Sequence, residues 1–471
     1  MPLNGPSFSL CRHFCHQPLS GEDCLITASL RLDRELQTRL DGLASLDADY
    51  WSFKGNSRRE HGHGLFQYPA MMVPQMVEAI LDEVSFVHPE IEWVTDPFAG
   101  SGTILTESMR KGFSFAGRDV NPLAILLCRT KAGPFFSEAM QAAVDELTGR
   151  IAADRGTKME VDFPGIDKWF ELEAKMDISR IRRSIMRESS LASRRFFWVA
   201  LAETVRLTSN SRTSTFKLHI RPEEEIRERE VDAVATFKRV LCRNFQNLES
   251  LVKELRENGF LERGRYTGDI AIGLEDTRLP FTVVEGKCDV LVTSPPYGDN
   301  VSTVPYGQFS YLPLQWIDLA DIDPAAQVGY LRTTHEIDFR SLGGSRRIKP
   351  GVPEALTGRS GALGRLLARL SDEPADRALR ITAFFRDLND SLRTILKTLR
   401  PGGLMVWVLG NRRVAGKRVP LDRILTELLE SFDSVAVAAL KRRIHSKRMA
   451  LKNSVAKTMS AETILVMRKK T

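Results

Sequence analysis

Short apolar runs that stop abruptly in polar turns bearing Gly or Pro recur along this chain. Ile91 to Thr95 predicts a buried strand, and Ile104-Leu105-Thr106-Glu107-Ser108-Met109 after it carries apolar positions at helical spacing. Phe113 to Arg118, Cys288 to Thr293, Leu404 to Leu409 and Ala461 to Met467 predict further strands. Leu241, Phe245, Leu248, Val252 and Leu255 form an amphipathic helical stripe. Strands alternating with helices, with candidate sites at strand ends, predict an α/β doubly wound domain. Residues 1–50 read as an N-terminal extension and 51–135 as the first half of that domain. Residues 136–262 read as a mainly helical insertion and 263–471 as the second half, with a basic Gly- and Pro-bearing loop at 335–378. No internal repeat is evident.

Asp96-Pro97-Phe98-Ala99-Gly100-Ser101-Gly102-Thr103 joins the first strand to the following helix. Gly100 and Gly102 permit backbone angles and a close ligand approach that a Cβ would block. Free N–H groups at the helix start can face a carboxylate or a hydroxyl. Asp96 can bind an ammonium or order the loop. The next strand runs into Asp119-Val120-Asn121-Pro122, where a carboxylate at the strand tip is placed for two ribose hydroxyls. The spacing is closer than in dinucleotide sites, and the glycines do not follow G-x-G-x-x-G. Both features argue against NAD and for another adenosine cofactor.

Thr293-Ser294-Pro295-Pro296-Tyr297-Gly298 ends another buried strand. The prolines fix an extended backbone and remove two N–H donors, leaving nearby carbonyls free to accept. An exocyclic amine on cytosine or adenine is planar and a poor nucleophile, because its lone pair is delocalised into the ring. Accepting both its N–H groups, by Ser294 Oγ and the Pro295 carbonyl, draws the nitrogen toward tetrahedral geometry and aims its lone pair. Tyr297 is expected to stack on the base. Alignment and electrostatics supply the rate, and a base within a duplex must first be flipped out.

These residues resemble the amino-methyltransferases of DNA, the family that makes N4-methylcytosine and N6-methyladenine. Asp96 to Thr103 resembles the family's cofactor motif, and Asp119 its ribose-binding acid. Ser294-Pro295-Pro296-Tyr297 resembles its catalytic motif, and Phe66 to Pro74, with Tyr68 and Pro69, the segment closing the methionine end of the pocket. Tyr266-Thr267-Gly268-Asp269 resembles the turn after the third strand, with Asp269 as the acid near adenine. The resemblance implies a Rossmann-like seven-stranded methyltransferase sheet with its last strand antiparallel. It implies S-adenosyl-L-methionine as cofactor, duplex DNA as partner, and a cognate restriction enzyme as an optional one. Serine at position 294 is more typical of cytosine-N4 enzymes, and aspartate or asparagine of adenine-N6 enzymes. The cofactor motif here precedes the catalytic motif, whereas many N4-cytosine enzymes have the reverse order.

The chain has 471 residues, 42% hydrophobic and 27% charged, with a net charge of +7. These values are ordinary for a globular protein and compatible with nucleic-acid binding. No run is long enough to span a bilayer and no secretory signal is evident, so a cytoplasmic protein is expected. Arg206, Asn210, Arg212 and Lys217 form the best local candidate for DNA contact in the insertion. Arg346, Arg347, Arg412 and Arg413 are the candidates in the second half. Cys11, Cys15 and Cys24 lie near His13 and His16, but their spacing fits no strong zinc template, so no metal is expected. Cys128, Cys242 and Cys288 read as core thiols. Three rivals share the motifs: an adenine-N6 enzyme, an RNA guanine-N2 methyltransferase, and a catalytically silent DNA-binding paralogue.

Overall fold

A computed structural model describes residues 21–47, 49–300, 303–445 and 459–470. Cys11, Cys15, His13 and His16 lie outside these residues, as does the side chain of Cys24. Seven strands form the central sheet: β1 (Trp93–Asp96), β2 (Ser114–Asp119), β3 (Ile270–Leu274), β4 (Cys288–Thr293), β5 (Leu399–Gly410), β6 (Ser434–Arg443) and β7 (Ala461–Lys469). Their order is β6-β7-β5-β4-β1-β2-β3. The pairs β5–β4–β1–β2–β3 are parallel, and β7 runs antiparallel between β5 and β6. The reversal sets Glu462, at the start of β7, beside Gly410 at the end of β5.

Alternation along the central strands explains why helices cover both faces. Val290, Val292, Leu404, Val406 and Val408 enter one apolar layer, while Leu291, Met405, Trp407 and Leu409 enter the other. The first layer is covered by α1 (Gly21–Leu46), α2 (Pro74–Val87), α3 (Thr103–Arg110), α4 (Pro122–Lys131), α5 (Ser137–Ala153), α6 (Leu172–Met186), α7 (Leu191–Thr208), α8 (Ala233–Glu257) and α9 (Tyr306–Trp316). The helices between β2 and β3 thus share the sheet's own core. The second layer is covered by α10 (Val352–Arg359), α11 (Gly361–Arg369), α12 (Ala375–Thr398) and α13 (Leu421–Glu430).

Two expectations change. The stretch 335–378 is not a continuous loop, because it contains Glu336–Arg340, α10 and α11. Leu356, Leu363, Leu366 and Leu370 are buried there, forming an apolar face hidden among Gly and Arg in the sequence. Ser360 caps α11, and Glu427 of α13 accepts from Ser360 Oγ at 2.7 Å and from Ala362 N–H at 2.8 Å. Cys242 is exposed, unlike the buried Cys128 and Cys288, because it faces away from the stripe that α8 buries. Among the described residues no helix is long and apolar enough to cross a membrane.

Candidate active site

The parallel strands β1 to β4 deliver their C-terminal ends to one rim, and the segments singled out in the sequence meet there. Gly100 and Gly102 adopt φ of 50° and 72°, a region that penalises a Cβ. The turn is held from below and from the side. Asp96 Oδ1 accepts from Phe98 N–H at 3.0 Å and from Thr293 Oγ1 at 2.6 Å, tying the turn to the end of β4. Asp119 Oδ2 accepts from Gly100 N–H at 2.9 Å, and its Oδ1 accepts from Asn121 N–H at 2.8 Å. Burial pushes the Asp96 carboxyl up to about 7 and that of Asp119 up to about 6, against the hydrogen bonds that favour their charged forms.

Asn121 caps α4 and is itself buried. Its Nδ2 donates to Tyr68 Oη and to Ser310 Oγ, both at 2.9 Å. Tyr68 stacks on Tyr306 with ring centroids 5.6 Å apart, and burial pushes its phenol well up. One network therefore joins the segment before α2, the turn before α4, and α9.

A cleft lies against this network. Tyr68, Phe98, Gly100, Asp119, Asn121, Ser294 and Pro296 all line it, so the glycine turn and the diproline ledge share one cavity. The sequence reading missed Asp276, Thr277, Asn300, Tyr306, Ile337, Ser341 and Leu342, and noted Arg340 only as part of a basic cluster; all of these also line the cleft. Asp276 and Thr277 follow the apolar run of β3, and reading that strand to its end would have found them. Thr277 Oγ1 donates to the Pro97 carbonyl at 3.0 Å. Beneath them the buried Arg118 guanidinium donates to the Leu279 and Thr277 carbonyls at 2.6 and 3.0 Å, and burial lowers its pKa to about 10.

Other residues fall elsewhere. Asp269 precedes β3: its carbonyl accepts from Phe115 N–H at the start of the pairing with β2, which sets it at the opposite end of the sheet from the cleft. The expected acid near adenine is thus misplaced, and Asp276 holds the strand-end position. Asp96 lies under the turn, and Pro69, Pro97, Ser101, Gly102 and Thr103 shape the surroundings without lining the cleft. Pro295, within the ledge, is buried. Tyr297 does not line the cleft either. Its hydroxyl donates to Glu462 Oε1 at 2.9 Å and lies 3.2 Å from Ser294 Oγ. No local signal in the sequence pointed to Glu462, because its partner is in another part of the chain.

The candidate DNA contacts divide. Arg206 and Asn210 are buried. Arg206 pairs with Glu203 at 2.9 Å and lies 4.4 Å from the Phe309 ring centroid, and Asn210 donates to Glu171 at 3.0 Å. These contacts stabilise the packing of α7, so neither residue offers a free surface group. Arg212, Lys217, Arg346, Arg347 and Arg413 are exposed, with Arg346 paired to Asp376 at 2.6 Å. Arg412 is mostly buried against Gly298 and pairs with Asp299 at 3.4 Å. Among the described residues no group of three or more His, Cys, Asp or Glu side chains is arranged to hold a metal.

No protein-family model matches the chain. The type II methyltransferase M.MvaI of Kocuria varians is 29% identical over 453 residues, 93% of this chain and 97% of that protein. The type II methyltransferase M.MjaII of Methanocaldococcus jannaschii is 30% identical over 98 residues, 21% of this chain and 18% of that protein. Sheet order, strand-end cleft and this end-to-end likeness agree: the chain is similar to type II methyltransferases along nearly its whole length.

Proposed function

We propose that the chain transfers a methyl group from S-adenosyl-L-methionine to the exocyclic amine of a flipped base in duplex DNA, and that this amine is cytosine N4. The supporting observation is the shared cleft: Gly100 and Asp119 on one wall, Ser294 and Pro296 on the other. The cofactor fits the residues present. A carboxylate has about four lone-pair sites, so Asp119 can still accept ribose hydroxyls while holding Gly100 and Asn121. Phe98, Asp276 and Thr277 would meet the adenine side, and Tyr68 the methionine side. When bound, the cofactor supplies an electrophilic methyl on a sulfonium. Ser294 Oγ and the Pro295 carbonyl accept the two amine hydrogens and orient the nitrogen. Alignment of the amine lone pair with the methyl contributes most of the rate.

Serine at position 294 favours cytosine over adenine. The motif order, cofactor segment first, is the observation that favours the adenine-N6 alternative. The deciding experiment incubates the protein with isotope-labelled cofactor and DNA of mixed sequence, followed by mass analysis of the released nucleosides. Labelled N4-methylcytosine is expected. Labelled N6-methyladenine replaces the base assignment and keeps the transfer chemistry. Label on tRNA alone, or on no nucleoside, overturns the reading.

A further inference from the structure

Ser294 Oγ heads a chain of three oxygens, and the transfer reaction as described uses none of the chain beyond Ser294 itself. Ser294 Oγ faces Tyr297 Oη at 3.2 Å, and Tyr297 Oη donates to Glu462 Oε1 at 2.9 Å. The other Glu462 oxygen lies 3.2 Å from Nε of the buried Arg442. Gly410 gives the tyrosine ring its place, since a Cβ there would come within 2.5 Å of Tyr297 Cδ2.

The hydrogens in this chain have only one consistent direction. A carboxylate paired with arginine can only accept, so the single Tyr297 hydroxyl hydrogen goes to Glu462. Tyr297 Oη can then only accept from Ser294, and the Ser294 hydrogen points away from the cleft. What Ser294 presents to the cleft is lone pairs alone. We infer that Glu462, acting through Tyr297, is the positioning residue that makes Ser294 an obligate acceptor toward the bound base, and that it is the terminal acceptor of the proton lost by the methylated amine.

This inference rests on the amine-transfer reading and extends it in two ways. An acceptor-only serine welcomes an amino edge and opposes a keto edge, because two facing acceptors leave both desolvated and unpaired. The same chain also completes the reaction. As the carbon–sulfur bond breaks, its electron pair stays on sulfur and a carbon–nitrogen bond forms, leaving the nitrogen with one proton too many. That proton passes to Ser294 Oγ, the Ser294 proton to Tyr297 Oη, and the Tyr297 proton to Glu462, which ends as a neutral acid facing Arg442. No further reactant is needed.

The test uses the full chain, a DNA duplex carrying the base identified by nucleoside analysis, and a second duplex with the amine at that position replaced by a carbonyl (uracil for cytosine). Binding of both is measured without cofactor for the wild type, Glu462→Gln and Tyr297→Phe. Each protein meets the same two duplexes, so the effect of the mismatch on flipping cancels in the comparison. Both variants are expected to shift the amino-to-keto preference by about tenfold toward the keto duplex, because the chain can reverse in Glu462→Gln and is cut in Tyr297→Phe, and in each the Ser294 hydrogen can turn to the cleft. With saturating cofactor, single-turnover transfer should fall about 100-fold in each variant, and the double variant should lose no more than either alone. Cofactor affinity within about twofold of wild type shows that the site is folded. An unchanged base preference, wild-type transfer rates, or multiplying losses in the double variant each overturn the inference. A wild type that labels no amine overturns the proposed function instead.

Discussion

Asp96 is conspicuous at the residue scale because its burial works against its charge. Its carboxyl is held near 7 in the fold against an ordinary value of 3.8, with burial as the largest cause. The folded state therefore keeps a proton that the unfolded chain releases, and stability falls as pH rises between these two values. From about pH 5 to about pH 8 this one group should remove roughly 2 to 3 kcal/mol. Asp96→Asn should show a correspondingly flatter dependence, which urea titrations at the two pH values would measure. Asp119, pushed up to about 6, contributes in the same direction over a lower range. The two walls of the cleft also make separable predictions. Ser294→Ala should lower transfer about 100-fold with cofactor affinity within about twofold, as expected for a group acting only on the reacting amine. Asp119→Ala should instead weaken cofactor binding by about tenfold or more, since it removes a charged acceptor and strands the Gly100 N–H. Equilibrium binding of the cofactor, beside single-turnover rates, separates the two roles.

At the scale of elements, the strands with continuous apolar runs were legible because they are central and buried on both faces. Cys288 to Thr293 is buried at every position. Strand ends were legible where a glycine or proline turn marks them, as at Gly100 and Pro295. β3 carried no such mark: its residues are mostly half-buried and end in Glu275 and Asp276, so the acid near it was sought at the wrong end. The 335–378 stretch was misread for the opposite reason. Its leucines are spaced helically, but Gly, Pro and Arg dominate the composition around them. Leu363→Ala tests the corrected picture. With its side chain fully buried on the inner face of α11, the substitution should cost about 3 kcal/mol in chemical denaturation, where an unpacked loop would lose less than about 0.5 kcal/mol.

At the scale of the whole molecule, much of the site was illegible because it is assembled across long separations in sequence. Asn121 reaches Ser310, Asp96 reaches Thr293, and Tyr297 reaches Glu462. Only the doubly wound topology brings such positions to one rim, and no local pattern encodes the pairing. The charge distribution was likewise legible only in part. Arg206 looked like a surface cation and proved to be packed internally, while Arg212, Lys217 and Arg413 remain on the surface. If these exposed cations contact phosphates, DNA affinity should fall by about tenfold for each contact pair as salt rises about fourfold, with little change in cofactor affinity. Filter binding across a salt series checks this, and a flat series would remove phosphate contact from the account.

The reversed direction of β7 has a consequence in time as well as in space. The strand reaches the active rim with its first residues, and it follows the other six strands of the sheet in sequence. On the ribosome the glycine turn and the diproline ledge are made first, and the carboxylate behind them 165 residues after Tyr297. A polypeptide released at Ser460 would display both recognisable signatures yet lack the strand that steadies the ledge. A copy cut short before β7 is therefore expected to leave Tyr297 without its carboxylate partner.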